Sequence, residues 1–218
     1  MSSSKARDPL NYGMIHNMLN DIDLQIRRSA PIRVVMVGPA SVILAEGNRS
    51  KDSFMGDIDL AFNGEEETKV FLAARDVVSK KNKRVLNFTI KPFPDENRDR
   101  TLLYNESLKG DCIFYGKGLA VYAAEWAFQV AFMIRSAIKW HHGETDVSPR
   151  SRADLFEDEK LLQAIQVLVH VVKRRNNGAP VCPKGKHGKY CEERALTPEN
   201  VSYMRSAYVT LFEIQPPF

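Results

Sequence analysis

Residues 33–62, RVVMVGPASVILAEGNRSKDSFMGDIDLAF, limit what this chain can fold into more than any other stretch. An apolar run (32–37, broken only by Arg33) enters Gly38. A short apolar segment follows, and a polar loop leads to Asp57-Ile58-Asp59-Leu60. A strand that is nearly all apolar is buried on both faces, which places it inside a sheet rather than on its rim. Side chains alternate along a strand, so Asp57 and Asp59 share one face while Ile58 and Leu60 take the other. Two carboxylates ~6–7 Å apart on one face repel each other unless a cation sits between them. A divalent metal is the usual answer, and magnesium held by one or two carboxylates takes the rest of its shell from water and phosphate oxygens.

The flanking sequence reads as alternating elements. Asp8-Pro9 is an N-cap followed by proline at the first helical position. Leu10, Met14, Met18, Ile22 and Ile26 then recur at four-residue steps, predicting an amphipathic helix through Arg28 that Pro31 breaks. Residues 32–37 form the first strand. Pro39 opens a short helix to Ala45, which Gly47-Asn48 closes. Residues 57–62 are the second strand, and Asn63-Gly64 turns the chain into a helix over 65–81. Its three leading glutamates suit the positive end of the helix dipole. Residues 85–91 alternate as a third strand, and 101–104 and 111–115 are short strand candidates around Gly110.

From Leu119 the chain reads as helical. Residues 119–140 are apolar almost all round, predicting a central packed helix. Residues 153–175 carry Leu155, Leu161, Leu162, Ile165, Leu168, Val169 and Val172 on a helical stripe, and a last helix spans 199–212. Between them, residues 176–198 are rich in Gly, Pro and Lys, which predicts a mobile loop. The expected fold class is therefore α/β (α+β): a small mixed sheet with flanking helices over residues 1–116, followed by a helical C-terminal part over 117–218.

A formal net charge of +4 permits an anionic ligand without demanding nucleic acid. Three cysteines, an odd number, do not make a disulfide framework. The first residues, MSSSKARDPLNYG, lack the apolar core of a signal peptide, and no 18-residue apolar run occurs. The expectation is a soluble, intracellular, cytoplasmic protein with no membrane partner, a nuclear location being compatible with the same features.

The order α-β-α-β-α-β, with Val37-Gly38-Pro39-Ala40-Ser41 on the first strand and turn and Asp57-Ile58-Asp59-Leu60 on the second, resembles the nucleotidyltransferase superfamily related to DNA polymerase beta. Its minimal, toxin-antitoxin-like branch is the closer likeness. The match is clear over residues 30–62 and looser to about residue 160. The resemblance implies a nucleotidyltransferase-like fold and a magnesium-dependent transfer of a nucleotide from a nucleoside triphosphate to an acceptor hydroxyl. The acceptor class, small molecule, RNA or protein, is left open.

It further implies that Asp57 and Asp59 hold the metal, while Gly38, Ser41 and Arg49 meet the nucleotide with Arg135 and Lys139 from the later helix. Asp111 is the candidate third carboxylate, as general base or further ligand. Two departures favour a catalytically inactive binding or partner protein of the same fold. Pro39 removes an N–H that could meet phosphate. Asn87 also stands in the third strand, where active members usually carry a carboxylate. A separate metal candidate is Cys182, His187 and Cys191, a thiolate and imidazole set that suits zinc but lacks an evident fourth ligand, His170 being the nearest upstream histidine.

Overall fold

The structure, a computed structural model, describes residues 9–47, 53–54, 58–82, 88–90, 100–139, 152–175, 177–178 and 197–218. The chain divides into two compact units, Met1–Glu125 and Trp126–Phe218.

The first unit is built on a five-stranded mixed sheet of order β5-β4-β2-β7-β6. Its strands are β2 (Ile32–Val37), β4 (Ile58–Ala61), β5 (Phe88–Ile90), β6 (Cys112–Tyr115) and β7 (Leu119–Ala123). A separate short ladder joins β1 (Leu10–Asn11) to β3 (Ser53–Phe54). β2 runs antiparallel to β4 and parallel to β7. β4 and β5 are parallel, and β6 and β7 antiparallel with a register shift between Cys112 and Phe114. β2 is central, as its apolar run requires.

Three helices supply the core against one face of the sheet. They are α1 (Tyr12–Asp23), α2 (Pro39–Glu46) and α3 (Glu65–Asn82). Ile15, Leu19 and Ile22 of α1, Ile43 of α2 and Phe71 of α3 are fully buried in one cluster with Val34, Met36, Ile58 and Val121 of the strands. Phe71 lies 5.3 Å from the ring of Phe62 and 5.4 Å from that of Phe88, so it fastens α3 to the sheet's β5 end.

Helix α4 (Arg100–Ser107) presents Leu103, Tyr104 and Ser107 as buried residues. The Tyr104 hydroxyl donates to the Arg33 carbonyl at 2.7 Å, and burial, with Glu67 acting in the same direction, pushes its phenol up to about 12. The Ser107 hydroxyl donates to the Leu103 carbonyl and accepts from the Glu125 N–H, satisfying the backbone where β7 has ended.

Four expectations are corrected here. First, α1 is capped by Asn11, whose side chain accepts from the Met14 N–H at 3.0 Å; Asp8 lies outside the described residues. Second, α1 ends at Asp23 rather than Arg28, because the Asp23 carboxylate turns to the β6–β7 hairpin. There it accepts from the backbone N–H groups of Lys117 (3.2 Å), Gly118 (2.7 Å) and Leu119 (2.7 Å). Third, the segment 101–104, expected as a strand, belongs to α4. Fourth, the predicted helix over 119–140 is strand β7 followed by helix α5 (Trp126–Lys139), since pairing with β2 claims Leu119–Ala123.

The second unit contains α5, α6 (Arg152–Glu157), α7 (Glu159–His170), one π-helical turn (Val171–Arg175) and α8 (Pro198–Phe212). The predicted continuous helix over 153–175 is interrupted at Asp158, which caps α7 by accepting from the Leu161 N–H at 3.0 Å. Ile134, Leu161, Leu168 and Leu211 are fully buried side chains of this unit. Thr197 caps α8 through its hydroxyl, which accepts from the Asn200 N–H. Among the described residues no helix is long and apolar enough to cross a membrane.

Candidate functional site

The site grows from the end of β2. Gly38 follows Val37 with φ 85 and ψ −160, a left-handed-side conformation that L side chains rarely adopt, so glycine is what lets the strand turn directly into α2. Pro39 occupies the first turn of α2, where its missing N–H costs no intrahelical bond. Ser41 is wholly buried. Its hydroxyl donates to the Gly38 carbonyl at 2.7 Å and its N–H donates to the same oxygen at 3.0 Å. Two donors of this turn are thus spent on bracing it, which is a structural use of Ser41.

Asp59 stands directly opposite Val37 in the antiparallel β2–β4 ladder. The carboxylate and the Gly38 turn therefore lie at the same end of the sheet. Ile58 and Leu60 are buried in the core as the alternation predicts, and Asp59, half-buried, belongs to the opposite face with Val37. Across β4 on the other side, Thr89 of β5 pairs in register with Asp59. Directly opposed residues of neighbouring strands carry side chains on one face, so Thr89 is the nearest β5 side chain to that carboxylate.

Asp111 is elsewhere. It immediately precedes β6, and its carbonyl accepts from the Ala123 N–H of β7 at 2.9 Å. Two strands, β2 and β7, stand between it and Asp59. At a strand spacing of ~4.8 Å this is about 14 Å, a gap no single cation spans between two aspartates. Arg135 is exposed on α5 and Lys139 closes that helix, both in the second unit. Asp57, Arg49 and Asn87 lie outside the described residues, as do Cys182, His187 and Cys191. His170 is buried against Trp126, ring centroids 4.7 Å apart. Among the described residues, no three His, Cys, Asp or Glu side chains converge as a metal group.

Thr89 was not singled out by sequence reasoning. The signal that finds it is register, and register is set by which strands pair, not by local pattern. No known protein family matches this chain, and neither does any curated protein or solved structure.

Proposed function

We propose that the first unit is a nucleotidyltransferase-like domain. In this reading it binds a magnesium-bound nucleoside triphosphate at the Gly38 turn and at Asp57 and Asp59, and the protein transfers the nucleotide to an acceptor hydroxyl. The observation that carries the reading is the register of Val37 with Asp59, which sets a glycine turn and a half-buried carboxylate at one end of a mixed sheet. That donor set suits magnesium, which needs few protein oxygens when phosphate and water supply the rest. Bound there, magnesium would neutralise charge on the phosphates. Asp59 and Asp57 would hold it in position, and the absence of a Cβ at Gly38 would let the phosphates approach the backbone. Pro39 has no N–H and that of Ser41 is committed, so the phosphates rely on the carboxylate-held charge more than on helix α2.

A second reading, a protein of this fold that binds nucleotide without turnover, is favoured by one observation: Thr89, not a carboxylate, faces Asp59 from β5. Thermal melting with Mg²⁺ and each of ATP, GTP, CTP and UTP tests both. A ligand at 100 times its Kd stabilises by ~2.7 kcal/mol, roughly 10 °C for a unit of this size. Asp57→Asn and Asp59→Asn should each abolish that shift while leaving the apo melt unchanged or slightly raised. Labelled nucleotide appearing in an acceptor supports transfer, and binding without it supports the second reading. A wild-type protein with no Mg²⁺-dependent shift for any nucleotide removes both.

A further inference from the structure

The second unit shows an apolar surface that the reading above does not use. Seven large hydrophobic side chains are exposed among the described residues. Four of them gather on α6, α8 and the turn that follows it: Phe156 (47%), Val209 (39%), Phe212 (40%) and Ile214 (59%). The rings of Phe156 and Phe212 meet edge to face with centroids 6.4 Å apart, so α6 and α8 contribute to one patch rather than two. Val209 precedes Phe212 by three residues and shares its side of α8. The buried Tyr208 ring lies 4.7 Å from that of Phe212 and fixes it.

The rim of the patch is fixed as well. Glu213 ends α8 with φ 57, a left-handed cap that glycine or asparagine usually fills. Its carboxylate pairs with the Arg152 guanidinium, which itself lies 5.6 Å from the centroid of the Phe156 ring. Contacts thus run unbroken from Glu213 through Arg152 to Phe156 and Phe212, with Ile214 next to the first of them. This pair brings one cation and one anion to the patch, and so no excess of either sign to draw a polyanion or an acidic peptide. What an Arg–Glu pair matches is its own image turned end for end. A two-fold interface needs that self-complementarity, because the same patch serves both partners.

We propose that a second copy of this chain docks on the patch, as a two-fold dimer whose axis passes between Arg152 and Glu213. Each Arg152 then faces Glu213 of the partner subunit, and the four apolar side chains leave water against their own counterparts. At roughly half exposure, four such side chains offer ~300–400 Å² of apolar surface, the size of the largest patch on an ordinary monomer. Surface of that extent with a polar rim marks an interaction site. A standard interface takes about 800 Å² from each partner, so these residues make the dry centre of a small interface and a weak dimer, with a Kd on the order of 50 µM. The proposal is independent of the reading of the first unit.

The test is sedimentation velocity of the full chain over concentrations from well below to well above that Kd. Wild type should pass from monomer to dimer. Phe156→Ser and Ile214→Ser should each weaken the dimer about tenfold or more, with little change in melting temperature because both side chains are exposed. Arg152→Glu and Glu213→Arg each set like charges face to face, and each alone should stay monomeric. Mixed in equal amounts, the two should form a heterodimer of wild-type strength, since every charge again meets its opposite across the interface. Both variants lose the internal pair equally, so a purely structural role cannot produce that rescue. The proposal is overturned if wild type stays monomeric throughout, if either reversal alone dimerises as wild type does, or if the mixture stays monomeric. Where a reversal melts lower, the serine variants decide: dimers of wild-type strength in both overturn it. A monomeric wild type that binds phosphatidylcholine vesicles assigns the patch to a membrane and overturns it too.

Discussion

Replacing Asp23 by alanine removes one carboxylate and strands three backbone donors. Lys117 is exposed, so its N–H finds water; Gly118 and Leu119 are buried, and theirs do not. An orphaned buried N–H costs ~1–3 kcal/mol, so the two together cost about 4 kcal/mol. For a unit of 125 residues that is a fall in melting temperature of roughly 15 °C. Asp23→Asn keeps one acceptor oxygen, turns an NH₂ toward donors, and should lose about half as much. The assay is urea and thermal unfolding of the full chain, with hydrogen exchange read at the Gly118 and Leu119 amides, which should lose protection first. Asp23→Ala melting within ~2 °C of wild type, with both amides still protected, would refute the claim that this carboxylate holds the hairpin. Gly116→Ala attacks the same contact from the other side, since a Cβ there would meet the Asp23 carboxylate at 2.3 Å.

Phe71→Ala should destabilise by ~3–5 kcal/mol in chemical unfolding, because the ring is wholly buried between Phe62 and Phe88. Tyr104 should ionise well above the ordinary phenol range in an ultraviolet pH titration. Its folded-state value is raised from 10 to about 12, so its stabilising contribution is present below pH 10 and is lost as pH rises toward 12; Tyr104→Phe should flatten that segment of the stability curve. Thr89→Asp would set a second carboxylate beside Asp59, lowering the apo melting temperature by a few degrees. Mg²⁺ should restore that loss if the pair holds the ion, and a melt indifferent to Mg²⁺ would count against the site.

Much of the first unit is legible in its sequence, for local reasons. The apolar run of β2, the glycine turn into α2, the alternation around Asp59 and the start of α3 each follow from patterns within six residues. What is not legible depends on partners distant in the chain. Leu119–Ala123 is apolar and continues into an alanine-rich helix with no glycine or proline between, so periodicity cannot separate them. Only the parallel neighbour β2 makes the first five a strand. Helix α4 shows barely two turns, too short for its period to outweigh strand-like composition. The candidate site divides the same way. Gly38 and Asp59 are visible from spacing, while the place of Thr89 beside Asp59 and the remoteness of Asp111 are decided by strand order.

That strand order also dictates how the first unit must be made. Ile32 cannot meet Leu119 until most of the unit has been synthesised, which at ~5–20 residues per second is a wait of roughly 5–15 s. β4 and β5 can pair with one edge of β2 early, so the emerging chain holds a three-stranded half-sheet whose other edge, the most apolar strand in the unit, stands open. An open edge of that kind is a template for pairing with another nascent chain. During those seconds β2 is exposed to such pairing, and substitutions that slow the arrival or docking of β7 should lower soluble yield more than they lower the melting point of the finished protein.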